Sequence, residues 1–267
     1  MEEQLLVTVI QSAMEWEKPD ENLSRFEKLI SKAGETDIIV LPEMFSTGFS
    51  MRPELFAEKW GGRAFRWMQQ TATERGSVIT GSIMTEENGR HYNRLVWMEP
   101  GGSFELYDKK HLFRFAQENE HYESGSKRLI TSIKGWRICP LICYDLRFPV
   151  WSRNSYKEGE YGYDLLIYVA NWPGARINAW KTLLTARAIE NLSYTCGVNR
   201  IGIDGKGVEH NGVSMVADPS GNVIWEAGSD TESVETVVLP AAILKNARKR
   251  MKAGEDWDSF TIDPSPE

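Results

Sequence analysis

Apolar residues along this chain recur in two rhythms. Short runs rich in aliphatic residues, LLVTVIQ at 5–11, IIVL at 38–41 and LLIYVA at 165–170, read as buried strands. Elsewhere apolar positions fall at helical spacing. Residues 19–33 carry Leu23, Phe26, Leu29 and Ile30 on one face, with Asp20 near the start of the expected helix. Residues 63–75, 148–158, 179–191 and 241–251 predict further helices. Strands are expected at 78–84, 94–98, 104–107, 129–133, 136–143, 194–199, 213–217, 223–225 and 235–239. Turns at EPGGS (99–103), Lys134-Gly135 and DPSG (218–221) join several of them. The pattern mixes β–α units with strand meanders. It predicts one α/β domain spanning 1–267, with a mixed sheet or two packed sheets and helices outside. Residues 260–267, with Pro264 and Pro266, are expected to be a loose tail.

Composition narrows the class. A chain of 267 residues with 41% hydrophobic and 26% charged residues has the profile of a soluble globular protein. The formal net charge of −7 argues against a nucleic-acid partner, because phosphate binding needs a surplus of Lys and Arg. The one dense basic run, KNARKRMK at 245–252, reads as the solvated face of a helix. No apolar run reaches membrane-spanning length, and MEEQLLVTVIQS lacks the basic start of a signal peptide, so a cytoplasmic protein with no membrane partner is expected. Cys139 and Cys143 share the extended run RICPLIC, about 13 Å apart, too far for a disulfide. With Cys196 they suggest reduced thiols in a reducing compartment.

Three reactive residues occupy comparable positions. Glu43 follows IIVLP, Lys109 follows FELYD, and Cys143 closes WRICPLIC. Each stands at the C-terminal end of an apolar extended run, the end of an α/β sheet where sites collect. Taken singly, Cys143 reads as a small buried hydrophobe, and Glu43 and Lys109 as surface residues. Together they make a self-sufficient set for amide hydrolysis. A thiolate attacks the unreactive carbonyl, a carboxylate shuttles the proton to the leaving nitrogen, and a fixed ammonium stabilises the oxyanion.

LPEMF around Glu43, YDKKHLF around Lys109 and ICYDLRFP around Cys143 resemble, in this order, the three motifs of the nitrilase, or carbon–nitrogen hydrolase, superfamily. VANWP (169–173), RAIEN (187–191), GVNRIGIDG (197–205) and DPSGN (218–222) extend the resemblance from about residue 5 to residue 260. It implies a four-layer αββα sandwich that pairs through helices into a homodimer or larger even-numbered assembly. It also implies Glu43 as base and acid, Lys109 rather than Lys110 as oxyanion stabiliser, and Cys143 as nucleophile. Glu118 matches a second active-site glutamate, with Glu120 and Glu123 nearby, and the Tyr144 backbone N–H would be a second oxyanion donor. LPEMFSTGF, KKHLFRFAQENEHYESG and ANWP with its downstream LLTARAIEN are most similar to the ω-amidase branch, which acts on monoamides of short 2-oxo dicarboxylic acids.

Other readings remain at this level. His111, His121 and His210 could serve a papain-like cysteine enzyme, though the local signature is missing. A non-catalytic relative or an N-carbamoyl hydrolase on the same scaffold is a further alternative. No His/Cys/Asp cluster has metal-ligand spacing and no glycine-rich loop cradles phosphate, so neither metal nor other cofactor is expected. Phe45, Phe49, Phe113, Phe115 and Trp172 beside the motifs would shape a short closed pocket. Arg147 would meet a substrate carboxylate, or pair with Asp145 or Glu190 instead.

Overall fold

The computed structural model describes residues 1–262. In chain order, β1 (Gln4–Gln11) leads through α1 (Pro19–Ile30) to β2 (Ile38–Val40). Helices α2 (Pro53–Phe56) and α3 (Arg63–Arg75) precede the meander β3 (Val78–Glu87), β4 (Arg90–Met98) and β5 (Phe104–Asp108). The one-turn helix α4 (Glu118–His121) ends this half. The second half opens with β6 (Thr131–Ile133), β7 (Trp136–Ile142) and the one-turn helix α5 (Pro149–Ser152). A minimal hairpin, β8 (Tyr156–Lys157) and β9 (Glu160–Tyr161), precedes β10 (Leu165–Val169), α6 (Ile177–Asn191) and β11 (Tyr194–Val198). A second hairpin, β12 (Ile201–Ile203) and β13 (Glu209–Asn211), leads to β14 (Met215–Ala217) and β15 (Val223–Glu226). The chain closes with β16 (Ser233–Pro240) and α7 (Ala241–Met251).

Two six-stranded sheets result, ordered β16-β1-β2-β3-β4-β5 and β15-β14-β11-β10-β7-β6. Side-chain alternation sorts the first sheet's residues between two cores. Leu5, Val7, Val9, Ile38, Val40, Leu95 and Trp97 face the second sheet. Ile10, Ile39, Ile79, Ile83, Val96 and Met98 face the apolar stripes of α1 and α3, including Phe26 and Met68. The second sheet is buried on both sides, with Trp180, Leu184 and Ala188 of α6 against it. The layers are therefore helix, sheet, sheet, helix, the α/β sandwich implied by the sequence motifs. Among the described residues, no helix is long and apolar enough to cross a membrane.

The element reading needs one correction. Residues 148–158 are not a helix: a single turn ends at Ser152 and the chain enters the β8–β9 hairpin. Asn154 explains the change. Its Oδ1 accepts the N–H groups of Ser155 and Tyr163 at 2.9 and 3.0 Å. Its Nδ2 donates to the carbonyls of Tyr163 and Asn191 at 2.9 and 3.1 Å. Backbone hydrogen bonding that a helix would use internally is thus taken by a side chain. The β12–β13 hairpin and the short α2 and α4 also lie outside the predicted elements. Of the expected tail, residues 263–267 lie outside the described residues; residues 260–262 have no regular structure and are exposed.

Candidate active site

Strand direction brings the three motif residues to one end of the sandwich. β2 runs parallel to β3, and two antiparallel steps make β5 parallel to both. Glu43 and Lys109 therefore leave the same edge of the first sheet, although β3 and β4 separate their strands. Cys143 leaves the end of β7, and Asn171 the end of the parallel neighbour β10 in the second sheet. The residues meet across the sheet–sheet interface rather than along one sheet.

Glu43, Lys109 and Glu118 are each fully buried. The Lys109 ammonium donates to Glu43 Oε1 at 2.8 Å and to both Glu118 oxygens at 3.0 and 2.9 Å. Asn93 Nδ2 bridges the same two carboxylates at 2.8 and 3.1 Å. Phe113 N–H donates to Glu118 Oε2 at 2.6 Å, and Asn171 N–H to Glu43 Oε2 at 2.8 Å. Every carboxylate oxygen is held, so the cluster is rigid in a setting where an unpaired charge would be costly. Glu120 and Glu123 are exposed, leaving Glu118 as the glutamate of its segment that joins the cluster.

Burial shapes the titration of these groups. It opposes the Lys109 charge, yet the adjacent Glu118 and Glu43 carboxylates outweigh it and raise the lysine pKa above its ordinary value. Burial raises the Glu118 pKa, Lys109 opposes that shift and the Glu43 charge adds to it. Burial, then the Glu43 charge, pushes the Cys143 thiol well above the usual range. The thiol is therefore protonated at neutral pH, and attack requires a base beside it. Cys139 and Cys196 are pushed up to about 12 by burial alone or with burial dominant, and both are buried. Cys143 alone among the three is partly exposed.

The Cys143 turn is held from behind. Cys143 adopts φ 41°, a left-handed conformation unusual for a residue with a side chain, where β7 breaks sharply into a 3₁₀ turn. Buried Asp145 secures that turn. Its Oδ2 accepts Tyr107 Oη–H at 2.6 Å and Ile142 N–H at 3.1 Å, and its Oδ1 accepts His111 N–H at 3.0 Å. His111 Nδ1 lies 2.8 Å from the same oxygen, and its ring stacks on Phe148 at 3.7 Å. Tyr107 Oη also accepts the Trp151 indole N–H and the Lys110 N–H, at 2.9 and 3.2 Å. One carboxylate thus ties the lysine segment of the first sheet to the cysteine turn of the second. Sequence reasoning had left Asp145 as a possible partner for Arg147.

A cavity of about 530 Å³ opens onto Cys143 and Asn171. Tyr144, Arg147, Trp172 and Phe115 line it, together with Phe49 and Phe113. Phe49 also packs under the Lys109 ammonium, 5.0 Å from the ring centre. Phe45 does not line the cavity. It is fully buried between Phe26 and Trp67, at ring distances of 5.7 and 5.6 Å, in the core behind the first sheet. Met44 at φ 45° reverses the chain after Glu43, so the two-residue spacing does not keep Phe45 on the glutamate's face. His210 reaches the cavity wall, and burial, with the Arg200 charge, lowers its pKa to about 4. A neutral imidazole is therefore the form present near neutral pH.

Sequence reasoning did not single out Asn93 or Asn171. Asn93 is a buried amide in the polar first half of β4, between Tyr92 and Arg94, so its sequence neighbours gave no signal. Asn171 stood inside the quoted VANWP motif without an assigned role.

A partly exposed thiol, buried carboxylates and a fixed ammonium beside a largely apolar cavity match the equipment of a cysteine-based amide hydrolase. The sequence comparisons agree with that class. The carbon–nitrogen hydrolase family profile matches residues 6–249. The omega-amidase YafV of Escherichia coli K12 is 41% identical, over 97% of this chain and 98% of that protein. The 2-oxoglutaramate amidase of Bacillus subtilis is 33% identical, over 84% of this chain and 86% of its own length. XC1258 of Xanthomonas campestris, a CN-hydrolase superfamily protein whose crystal structure carries an arsenic adduct in its active site, superposes with a TM-score of 0.96 at 41% identity. That match covers 98% of this chain and 100% of the other. The chain belongs to the carbon–nitrogen hydrolase family, and its resemblance within the family is to the ω-amidase branch.

Proposed function

We propose that this enzyme is an ω-amidase that hydrolyses monoamides of short 2-oxo dicarboxylic acids, such as 2-oxoglutaramate and 2-oxosuccinamate, with Cys143 as nucleophile. The observation that carries the reading is the buried Glu43–Lys109–Glu118 cluster beside the one partly exposed thiol. The names of its full-length relatives supply the substrate class. Cys143 Sγ attacks the amide carbon while its proton passes to Glu43. The carbonyl oxygen gains charge and is met by the Lys109 ammonium and the Tyr144 N–H. Glu43 returns the proton to the nitrogen, the C–N bond breaks, and ammonia leaves a thioester on Cys143. Water then attacks the thioester, gives a proton to Glu43, and releases the acid as the thiol is restored. Glu118 and Asn93 hold Lys109 and Glu43 in register throughout.

We place Arg147 in the subsite for the substrate's remote carboxylate, with Trp172 and Phe115 as cavity walls. The three unpaired thiols suit a reducing, cytoplasmic setting. We also propose self-association through α6 and the turn at α5, whose Ile189 and Val150 are 50% and 56% exposed. The test of the substrate is kcat/KM on 2-oxoglutaramate, glutamine, an uncharged aliphatic amide and an N-carbamoyl amino acid. The 2-oxo monoamide should lead by at least about tenfold, or about 1.4 kcal/mol of transition-state binding. Preference for the carbamoyl or uncharged compound overturns the substrate class and leaves the hydrolase chemistry standing.

A further inference from the structure

The cavity carries more positive charge than the reaction centre uses. Outside the Glu43–Lys109–Glu118 cluster its lining holds Arg147, Arg176 and Lys206 against one carboxylate, Asp204. Asp204 is engaged by its own loop, accepting Lys206 N–H and Val208 N–H at 2.8 and 2.9 Å. Among the described residues, no carboxylate lies within ion-pair distance of Arg147 or Arg176. The two carboxylates that the sequence offered as partners for Arg147 are committed elsewhere, Asp145 to His111 and Tyr107, and Glu190 to Arg187. Unpaired guanidinium groups on a cavity wall are positioned for an anion that arrives with the ligand.

Arg176 is the better organised of the two. Its guanidinium rests over the rings of Phe113 and Phe115, at 5.4 and 5.0 Å. Its backbone N–H donates to Pro173, and its carbonyl accepts the Trp172 indole N–H at 2.9 Å. Stacking on aromatic faces fixes the plane of a guanidinium while leaving its edge N–H groups able to grip a carboxylate with two bonds. Both supports are joined to the reaction centre. Phe113 N–H holds Glu118, and Asn171, five residues before Arg176, holds Glu43. An anion seated on Arg176 is thereby registered against the same framework that fixes the catalytic carboxylates. Arg147 is more exposed and has a single ring beneath it, Trp172 at 5.0 Å.

We infer that Arg176 is a specificity-determining residue that binds the remote carboxylate of the substrate, with Arg147 as the second cation of the same subsite. This rests on the ω-amidase reading above and deepens it. The experiment compares 2-oxoglutaramate with 4-oxopentanamide, which has the same length and a methyl group in place of the carboxylate. Both are assayed by ammonia release with wild type, Arg176→Met and Arg176→Lys. Methionine keeps much of the stacked stem and removes the charge. Arg176→Met should lose about 10- to 100-fold in kcat/KM on 2-oxoglutaramate, mostly through KM, as expected for losing a hydrogen bond to a charged group. It should stay within about twofold of wild type on 4-oxopentanamide, and lysine should recover part of the loss. Wild type showing no preference between the amides would overturn the carboxylate reading itself. A wild-type preference that survives in Arg176→Met, or equal losses on both amides, overturns the role of Arg176 alone.

Discussion

Replacing Lys109 with methionine removes the only ammonium from a fully buried cluster of two carboxylates. Glu43 loses one of its partners and Glu118 loses contacts to both oxygens, leaving Asn93 as the bridge between them. Breaking a buried ion pair from one side costs about 3–5 kcal/mol, because the remaining charge is uncompensated. At about 2–4 °C per kcal/mol for a domain of this size, the melting midpoint should drop by about 6–20 °C. The loss should depend on pH, with a sign fixed by Glu118. Its pKa is already raised by burial, and Lys109 is what pulls it down. Without the lysine the folded-state value rises further above the unfolded one. Such a group favours the fold when protonated, and that contribution is lost as pH rises through the folded pKa. Lys109→Met should therefore fall furthest behind wild type at alkaline pH and recover as pH is lowered. Turnover should drop by at least about 10²–10³-fold at every pH, because the ammonium proposed as one of the two oxyanion donors is gone. Calorimetry across pH and an ammonia assay measure the two effects. A variant that melts with wild type at all pH values would refute the argument that Lys109 neutralises two buried carboxylates.

Cys143→Ala should abolish turnover with an unchanged melting midpoint, and wild type quenched with substrate should show the acyl mass on Cys143 alone. Iodoacetamide should label Cys143, the one partly exposed thiol of the three, in the native protein and spare the fully buried Cys139 and Cys196; mass spectrometry of the digest decides. Asp145→Asn turns an acceptor into a donor opposite the His111 and Tyr107 donors, so kcat should fall by about tenfold or more with KM little changed; a normal kcat would show that the turn holds without its carboxylate. Sedimentation at micromolar concentration should show a dimer or larger even-numbered species, and a monomer would contradict the proposed helix-face association.

The strands were legible because burial imposes a period the chain must carry. β1 alternates between two cores, and its apolar run announces that. The reactive residues were legible because each ends such a run. What joins them was not, because it depends on register between segments far apart in sequence. Asn171 meets Glu43 across 128 positions, and Asp145 meets Tyr107 across 38. Phe45 was misassigned for the converse reason. A single positive φ at Met44 reversed a local spacing that a straight strand would have kept. The failed helix at 148–158 turned on Asn154, whose partners lie at Tyr163 and Asn191.

The return of β16 to the first sheet has a consequence for how the molecule could be divided. Residues 1–126 supply Glu43, Asn93, Lys109 and Glu118, while the remainder supplies Cys143, Asn171 and the whole second sheet. A cut in the connection between β5 and β6 would thus separate the buried carboxylate–ammonium cluster from the proposed nucleophile. The later fragment would still carry β16, which pairs with β1 through eight residues in antiparallel register. Each fragment would expose one apolar face of the interior, and the donated strand would specify how they re-engage. Ammonia release would then report fragment complementation, since neither piece owns the whole of the proposed site.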